Sequence, residues 1–142
     1  MQILRREALA REALPGRVIQ RAVGKEGPSV SGRMTVGYAR YEASAGPMEP
    51  HRHAEEVVCV LDARDGWVEY GGEPARLEQR QELEAGMILH VPELEWHVFR
   101  HGEGGHVDIL YVYGQVDNIR PEDVQRERSG RRGGGGGGGA PR

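Results

Sequence analysis

Short apolar runs separated by glycine- and proline-containing turns constrain the fold of this chain most strongly. The runs recur every eight to twelve residues, and each is too short to form a long helix. They cover residues 34–42, 57–61, 67–70, 87–91, 96–100 and 107–113. This rhythm is typical of an antiparallel sandwich or small barrel rather than a parallel α/β sheet. The sequence therefore predicts an all-β protein.

The segments on either side of these runs predict short additional elements. Apolar residues at helical spacing within residues 5–14, followed by Pro15 and Gly16, predict a short N-terminal helix. Residues 17–23 predict an edge strand, and Pro121 in the first turn predicts a last short helix over residues 121–128. We expect one domain over residues 1–128.

The C-terminal end has a different composition from the rest. Residues 129–142 are rich in Arg and Gly and include seven consecutive glycines, which lack the side chains needed to offset the entropy cost of ordering. We expect residues 129–142 to be disordered.

Charge and composition exclude several classes of protein. Residues 1–119 carry a net charge of −6 and residues 120–142 a net charge of +3, so the acidic body disfavours nucleic-acid binding. No apolar run approaches the ~20 residues of a membrane span. The one cysteine, Cys59, cannot form an internal disulfide. We expect a cytoplasmic protein that binds neither nucleic acid nor membrane.

Histidines and a carboxylate lie where they could share a metal ion. His51 and His53 are two residues apart, so on a strand both rings project from the same face. His97 follows after three further runs, within the run at residues 96–100. Glu55 has the parity that matches His53, whereas Glu56 needs a bend or bulge to reach the same ion, and the residues alone leave both open. Imidazole and carboxylate ligands suit one divalent transition metal: Fe, Mn, Ni, Co or Zn.

These residues resemble the two motifs of the cupins, G-x5-HxH-x(3,4)-E-x6-G and G-x5-PxG-x2-H-x3-N. In the first motif, Gly46 precedes the pair of His51 and His53 by one residue fewer than usual, and the following glycine is late, at Gly66. The cupin glutamate directly precedes an apolar strand. The resemblance therefore indicates Glu56, after a gap one residue short.

The second motif matches in its spacing and departs at two positions. Gly86, Pro92 and His97 stand where the pattern requires them. Leu94 replaces the motif's glycine, and His101 stands where asparagine is usual. The two motifs lie within residues 46–101, and the similarity extends over residues 34–113.

The resemblance implies a fold and a function. It implies an antiparallel double-stranded β-helix, or jelly-roll barrel, whose metal is held by three histidines and one glutamate. The ligands would be His51, His53, Glu56 and His97. Such a site supports dioxygenase, isomerase or lyase chemistry on a small polar metabolite. A non-catalytic module that binds a sugar or small organic acid is the alternative, and a metal-free barrel is a third, weaker hypothesis.

Further residues are candidates for work around the metal. In a barrel of this type, inward polar side chains would line a cavity and orient the ligand. Candidates for this substrate-binding role are Tyr38, Arg40 and Tyr113. Candidates for a catalytic acid or base are Glu49, His90, His101 and Tyr111. The resemblance also implies a homodimer, and an exposed edge of the strand predicted at residues 17–23 would give a physical reason for pairing.

Overall fold

The computed structural model describes residues 1–123 and confirms an all-β fold. The strands are β1 (Glu12–Leu14), β2 (Arg17–Gly24), β3 (Ser29–Val30), β4 (Thr35–Glu42), β5 (Glu56–Gly71), β6 (Gln79–Glu82), β7 (Ile88–Val91) and β8 (Trp96–Tyr113). Single 3-10 turns occur at Arg6–Ala8 and Ala43–Ala45. Residues 121–123 are helical, and the remainder of the helix predicted over residues 121–128 and all of the tail at 129–142 lie outside the described residues.

The strands form one continuous, almost entirely antiparallel sheet. Its order is β1-β2-β4-β8-β5-β6, with β7 also paired to β5 and the short β3 paired in parallel to β2. No helix among residues 1–123 has the length and apolar character that crossing a bilayer requires.

Two long strands, β5 and β8, form a ribbon that runs through the whole molecule. They pair from Glu56 opposite Tyr113 to Gly71 opposite Trp96, with register shifts between Val60 and Asp62 and between Arg64 and Gly66. The ring of His53 contacts that of Tyr113 at one end and that of His97 near the other, so the ribbon curls until its ends meet. This curl closes the sheet around an interior.

The ribbon corrects the predicted turns at residues 65–66 and 102–105. Both segments lie inside continuous strands, because the local irregularities bend the strands instead of ending them. Gly66 lies where a Cβ atom would approach the carbonyl oxygen of His106 to 2.8 Å, so the glycine is needed for close packing across the bend. Glycine in the sequence therefore marked curvature, not a turn.

Alternation along the strands separates the interior from the outer surface. In β4, the residues Thr35, Gly37, Ala39 and Tyr41 are buried, whereas the residues between them are half-buried. The same alternation in β5 and β8 directs Val58, Val60, Val107, Ile109 and Tyr111 inward. This inner face forms the hydrophobic core and reaches the histidines at the end of the barrel.

The N-terminal segment differs from the prediction. Instead of a helix over residues 5–14 it has a 3-10 turn at Arg6–Ala8 and the strand β1, which forms a hairpin with β2. Pro15 and Gly16 occupy the hairpin turn, and the φ of Gly16 is 80°, which only glycine adopts without strain. The strand predicted at residues 17–23 is present as β2, but the prediction that it is an edge strand was wrong, because β2 lies between β1 and β4.

A partly buried ion pair fixes the N-terminal segment to the sheet. The guanidinium of Arg6 donates two hydrogen bonds to the carboxylate of Asp108, at 2.6 and 2.7 Å, and lies over the ring of Tyr38. Asp108 is only 6% exposed. A buried carboxylate requires such a partner, because desolvation without one is costly.

Replacing Arg6 by Met should therefore lower the free energy of unfolding by about 2 to 4 kcal/mol, since Asp108 loses its bidentate partner. Arg5→Met, at an exposed neighbouring position, should leave stability within about 0.5 kcal/mol. Chemical denaturation measures both. Equal stability of the Arg6→Met and Arg5→Met variants would show that the ion pair contributes nothing.

Candidate metal centre

His51, His53 and His97 meet where the loop before β5 crosses the start of β8. The backbone N–H of His51 donates to the carbonyl of His97, and the N–H of His97 donates back to His51, both at 3.0 Å. The carbonyl of His53 accepts from the N–H of Leu94 at 2.9 Å. Backbone pairing therefore places three rings that are distant in sequence beside one another.

The three imidazoles are close enough to share one ion. One ligand nitrogen from each ring lies within 4.8 Å of the others. All three residues are buried, with exposures of 8% for His51, 3% for His53 and 1% for His97. Within residues 1–123, they are the one group of three or more potential metal ligands with this spacing.

Hydrogen bonds to the backbone set the orientation of each ring. The Nδ1 atom of His51 lies 2.9 Å from the carbonyl of Glu49, and that of His97 lies 2.8 Å from the carbonyl of Glu95. The Nδ1 atom of His53 lies 2.8 Å from the carbonyl of Ala54. Carbonyl oxygens only accept, so each Nδ1 carries the proton and donates it. In a neutral ring this leaves the lone pair on Nε2, which is the arrangement of a metal ligand.

Two of these Nε2 atoms face each other at a distance that would suit a shared cation. The Nε2 atoms of His53 and His97 are 3.1 Å apart, and neither has a proton to donate while its ring is neutral. Two nitrogens bound at right angles to one ion, each at about 2.0–2.1 Å, lie about 3 Å apart. A shared metal ion therefore resolves the repulsion between the two lone pairs.

Burial keeps the rings neutral and so suited to metal binding. Desolvation, reinforced by the neighbouring His97, lowers the pKa of His53 to about 3. The same two causes hold the pKa of His51 well below its ordinary value, and burial lowers that of His97. Protons therefore compete poorly for the Nε2 lone pairs near neutral pH.

The two candidate carboxylates lie on opposite sides of the chain. Glu56 is 3% exposed, and its Oε1 atom is 3.9 Å from Nε2 of His53. Glu55 is exposed and accepts a hydrogen bond from His90 at 2.7 Å. The parity that favoured Glu55 does not apply, because β5 begins only at Glu56 and the residues before it are not in a strand.

Burial shifts the ionisation of Glu56. Desolvation raises the pKa of Glu56 to about 8, against a smaller opposing effect of hydrogen bonding from Tyr113. A cation beside this carboxylate would stabilise its charged form. Glu56 is therefore the candidate for a fourth, anionic metal ligand, although its carboxylate is outside the group of three histidine nitrogens.

The turn that leads into His97 is strained at Leu94. Its φ is 63°, in the left-handed region that leucine rarely adopts, at the position where the cupin motif has glycine. The side chain is 48% exposed, so burial does not explain the leucine. The backbone requirement of the motif is therefore retained although the glycine is not.

The proposed catalytic residues are not gathered at the histidines. Glu49 and His90 are exposed, and Glu49 contributes only its carbonyl to the site. His101 is half-buried and lines a separate cavity. Tyr111 is buried on the inner face beside Tyr113, with a ring-centroid separation of 5.3 Å. Tyr111 is the one of the four that lies on the same buried face as the site.

Of the three residues predicted to bind substrate, one lies beside the histidines and two do not. Tyr113 is buried with its ring 5.1 Å from that of His53. Tyr38 and Arg40 lie on the outer face of β4, where Arg6 covers Tyr38 and Arg40 pairs with Glu42. The expectation that Tyr38 and Arg40 line the cavity is corrected, because the buried face of β4 is the alternate set of residues.

Sequence reasoning missed a cavity of about 290 Å³ that none of the three clustered histidines lines. Tyr41, Met48 and Phe99 line it, with Arg100 and His101 also in its wall. The ring of Phe99 lies edge-on to His97, with centroids 6.5 Å apart. The alternation of side chains along β4 places Tyr41 and Tyr38 on opposite faces of the strand. This pattern was the sequence feature that could have predicted Tyr41 as a lining residue of the cavity.

Comparison with known proteins identifies the fold. No family model matches the sequence, and no curated protein matches it. Among solved structures, a protein from Planctomyces limnophilus has a TM-score of 0.64 and 21% identity, over 87% of this chain and 94% of that chain. The polyketide cyclase RemF from Streptomyces resistomycificus has a TM-score of 0.63 and 20% identity, over 80% and 78%. Iron(II)-bound HppE has a TM-score of 0.56 and 16% identity, over 80% and 60%.

The chain has the cupin fold. The predicted architecture is confirmed at this level, since the similar structures include proteins of that fold. In this cupin fold the three histidines lie inside, at the end of the barrel where the β5–β8 ribbon closes on itself.

The raised pKa of Glu56 predicts a pH dependence of stability in the metal-free protein. Because the pKa is 4.5 in the reference state and about 8 in the folded chain, the folded state binds more protons between these values. The free energy of unfolding therefore falls as pH rises. The histidines act in the opposite direction, but only below their ordinary pKa of 6.5, so the window from 6.5 to about 8 isolates Glu56.

We expect chelator-treated protein to lose up to about 2 kcal/mol of stability across that window, and Glu56→Gln to abolish the loss. Chemical denaturation at a series of pH values measures it. Glu55→Gln is the matched control and should keep the wild-type slope. A flat wild-type profile would contradict the buried environment assigned to Glu56.

Leu94→Gly should raise the free energy of unfolding by about 0.5 to 1 kcal/mol, because glycine relieves the left-handed strain with little loss of buried surface. Asn118→Gly is the control: its φ is 56°, but asparagine tolerates this region, so we expect a smaller change. Thermal and denaturant unfolding compare the two. A destabilised Leu94→Gly variant would mean that the side chain contributes packing that outweighs the strain.

Proposed function

We propose that the chain is a metal-binding cupin that acts on a small polar metabolite. One divalent transition metal ion would be held by His51, His53 and His97, with Glu56 as the fourth ligand. The observation that carries the proposal is the pair of lone-pair-bearing Nε2 atoms, on His53 and His97, that face each other at 3.1 Å.

The donor set fits such an ion in type as well as in position. Three neutral imidazoles and a carboxylate suit Fe, Mn, Ni, Co or Zn, and four protein ligands leave room for a ligand on a five- or six-coordinate ion. When bound, the metal would supply Lewis acidity, or redox chemistry if it is redox-active. The protein's own contribution is to fix three rings by backbone hydrogen bonds in a dry interior.

A cavity that shares the wall residue Phe99 with the surroundings of His97 has room for a small ligand. Its volume of about 290 Å³ is at the lower end for small-molecule sites. Tyr41 and Phe99 bound it on the interior side, and the Arg100 side chain, half-buried in its wall, offers a cationic contact.

Two structurally similar proteins support the proposal that this chain is an enzyme. RemF is a polyketide cyclase, and HppE was solved with iron(II). For this chain we propose dioxygenase, isomerase or lyase chemistry. Glu56 and Tyr113 are the buried groups beside the histidines through which a proton could pass.

Two further proposals concern the state of the protein. We propose a homodimer, as the resemblance to the cupins implies. We also propose a cytoplasmic location, since the one cysteine cannot form an internal disulfide.

Purified full-length protein should contain close to one transition metal ion per chain. His53→Ala should reduce metal affinity by more than the about 10–100-fold typical of losing an outer-shell partner, because a direct ligand is removed. His90→Ala is the matched control, since His90 is exposed and paired with Glu55, and should retain the metal. Elemental analysis and competitive chelation measure both. Metal-free protein from metal-replete cells would overturn the proposal.

Catalysis needs a separate measurement on metal-loaded protein. A panel of small carboxylic acids and carbonyl compounds, assayed aerobically and anaerobically, should reveal turnover that His53→Ala abolishes and His90→Ala preserves. Tight binding of a sugar or small organic acid without turnover would support the non-catalytic module instead. The aerobic and anaerobic arms separate dioxygenase chemistry from isomerase or lyase chemistry.

A further inference from the structure

A buried arginine outside the ligand set lies on the inner face of the sheet near the histidines. Arg17 begins β2 and shares its inner face with Ile19, a member of the core, because alternate strand residues point the same way. Only 4% of Arg17 is exposed. Burial is the main cause of the low pKa values of His51 and His53, and the positive charge of Arg17 lowers both further. Arg17 is therefore close enough to act on the candidate metal centre.

Hydrogen bonds hold the guanidinium of Arg17 in one orientation. It donates to the carbonyl of Pro15 at 3.0 Å and to the two carboxylate oxygens of Glu122 at 2.8 and 3.1 Å. Two N–H groups that face two carboxylate oxygens are the geometry with which arginine recognises a carboxylate. Arg17 thus forms a carboxylate-binding site, which a side chain of the same protein occupies.

The two members of this ion pair differ in how easily they can leave it. The side chain of Arg17 is 5% exposed, whereas that of Glu122 is 31% exposed. Arg17 belongs to a strand that is paired on both sides, and Glu122 belongs to the helical residues 121–123 that follow the last strand. Glu122 can rotate into solvent, but Arg17 stays in the interior. Arg17 then needs another anion, because an unpaired buried charge is costly.

The segment that follows the last strand passes beside the loop of the histidines. We term residues 114–123 the C-terminal strap. The N–H of Ala54 donates to the carbonyl of Asn118 at 3.1 Å, and the carbonyl of Ala54 accepts from Nδ1 of His53 at 2.8 Å. Ile119 is 3% exposed and packs in the core. The strap therefore connects the loop of the proposed metal ligands to the carboxylate that occupies the arginine.

Stability alone gives little reason for a buried ion pair at this position. Removing two charges from water costs about as much as their attraction returns, and an apolar pair of similar volume is often equally stable. Beside a metal centre the arginine has a further use. A divalent ion held by the histidines would add positive charge near Arg17, and an anionic ligand would be attracted to both.

We propose that Arg17 binds the carboxylate of the substrate, and that Glu122 occupies this position until the substrate displaces it. The substrate class is then small carboxylic acids rather than uncharged sugars. Arg17 is a substrate-binding residue that determines specificity and takes part in no bond rearrangement. The inference rests on the proposed function, because it assigns a binding residue to the metal centre proposed there.

The test measures binding of pyruvate, as the probe carboxylate, and of pyruvamide, its uncharged analogue, by titration calorimetry. Glu122→Gln should bind pyruvate about 10-fold more tightly than wild type, because the internal competitor is removed. Its affinity for pyruvamide should stay within about 2-fold of wild type, since no competitor for an uncharged ligand is lost. Asp123→Asn is the matched control: Asp123 is the adjacent acid but pairs with Arg120, and pyruvate affinity should stay at the wild-type value.

Removing the arginine should remove the gain. When Arg17→Gln is combined with Glu122→Gln, neither member of the ion pair is left unpaired, and pyruvate affinity should return to the wild-type value or below it. A Glu122→Gln variant that binds pyruvate no more tightly than wild type would overturn the proposal. A double variant that keeps the gain would also overturn it, since the ion pair would then serve only to hold the strap.

A second measurement uses wild type, so that it does not depend on how the variants fold. The N–H of Asp123 donates to the carbonyl of Arg120 at 3.1 Å. Saturating pyruvate should speed hydrogen exchange at this amide by about 5-fold, because displacement of Glu122 releases the helical residues 121–123. Pyruvamide should leave the rate unchanged. Exchange that pyruvate does not alter would overturn the displacement of Glu122.

Failure of this inference can be told from failure of the proposed function. Contact with Arg17 needs no metal, so the gain in Glu122→Gln is measured on both metal-loaded and chelator-treated protein, with elemental analysis of the same samples. Protein that binds no metal but shows the gain would overturn the metal centre alone. Metal-loaded protein without the gain would overturn the role of Arg17 alone.

Discussion

Three hydrogen bonds from imidazole Nδ1 atoms to backbone carbonyls are the constraint on which the site depends. They fix the tautomer of His51, His53 and His97, so that three Nε2 lone pairs are directed at a shared volume. In a buried, neutral cluster this arrangement is repulsive. It becomes favourable when a cation occupies that volume, and the fold therefore makes electrostatic sense as a metal site.

The curled β5–β8 ribbon brings His97 to the loop that carries His51 and His53. Its two ends hold Glu56 and Tyr113 on one side and His97 on the other, and the irregular pairing in its middle allows these ends to meet. The backbone exchange between His51 and His97 then fastens the preceding loop across the gap. The rigidity of the site follows from pairing of the main chain, which substitutions of side chains disturb little.

The class of fold could be predicted from local features, whereas the proximity of His97 to the histidine pair was implied by the resemblance to the cupin motifs. Spacing of two places His51 and His53 together, and the second motif, with Pro92 five residues ahead, indicated His97. The alternation expected of a strand favoured Glu55 over Glu56 wrongly, because the residues between His53 and the start of β5 are not in a strand. The outcome there depended on the loop and could not be read from periodicity.

Other failures have equally physical causes. The N-terminal segment had helical spacing, but the local hairpin at Gly16 and the ion pair of Arg6 with the distant Asp108 determine its structure. Tyr38 and Arg40 were on one face of a correctly predicted strand, yet alternation alone does not say which face is inside. Glycines at the ribbon's bend resembled turns because bending and reversal favour the same residue.

Anomalous diffraction from a crystal of the metal-loaded protein tests the central claim most directly. The account predicts a single strong peak at about 2.0–2.2 Å from the Nε2 atoms of His51, His53 and His97. A peak bound elsewhere, or one coordinated through Nδ1 with the carbonyl hydrogen bonds broken, would contradict it.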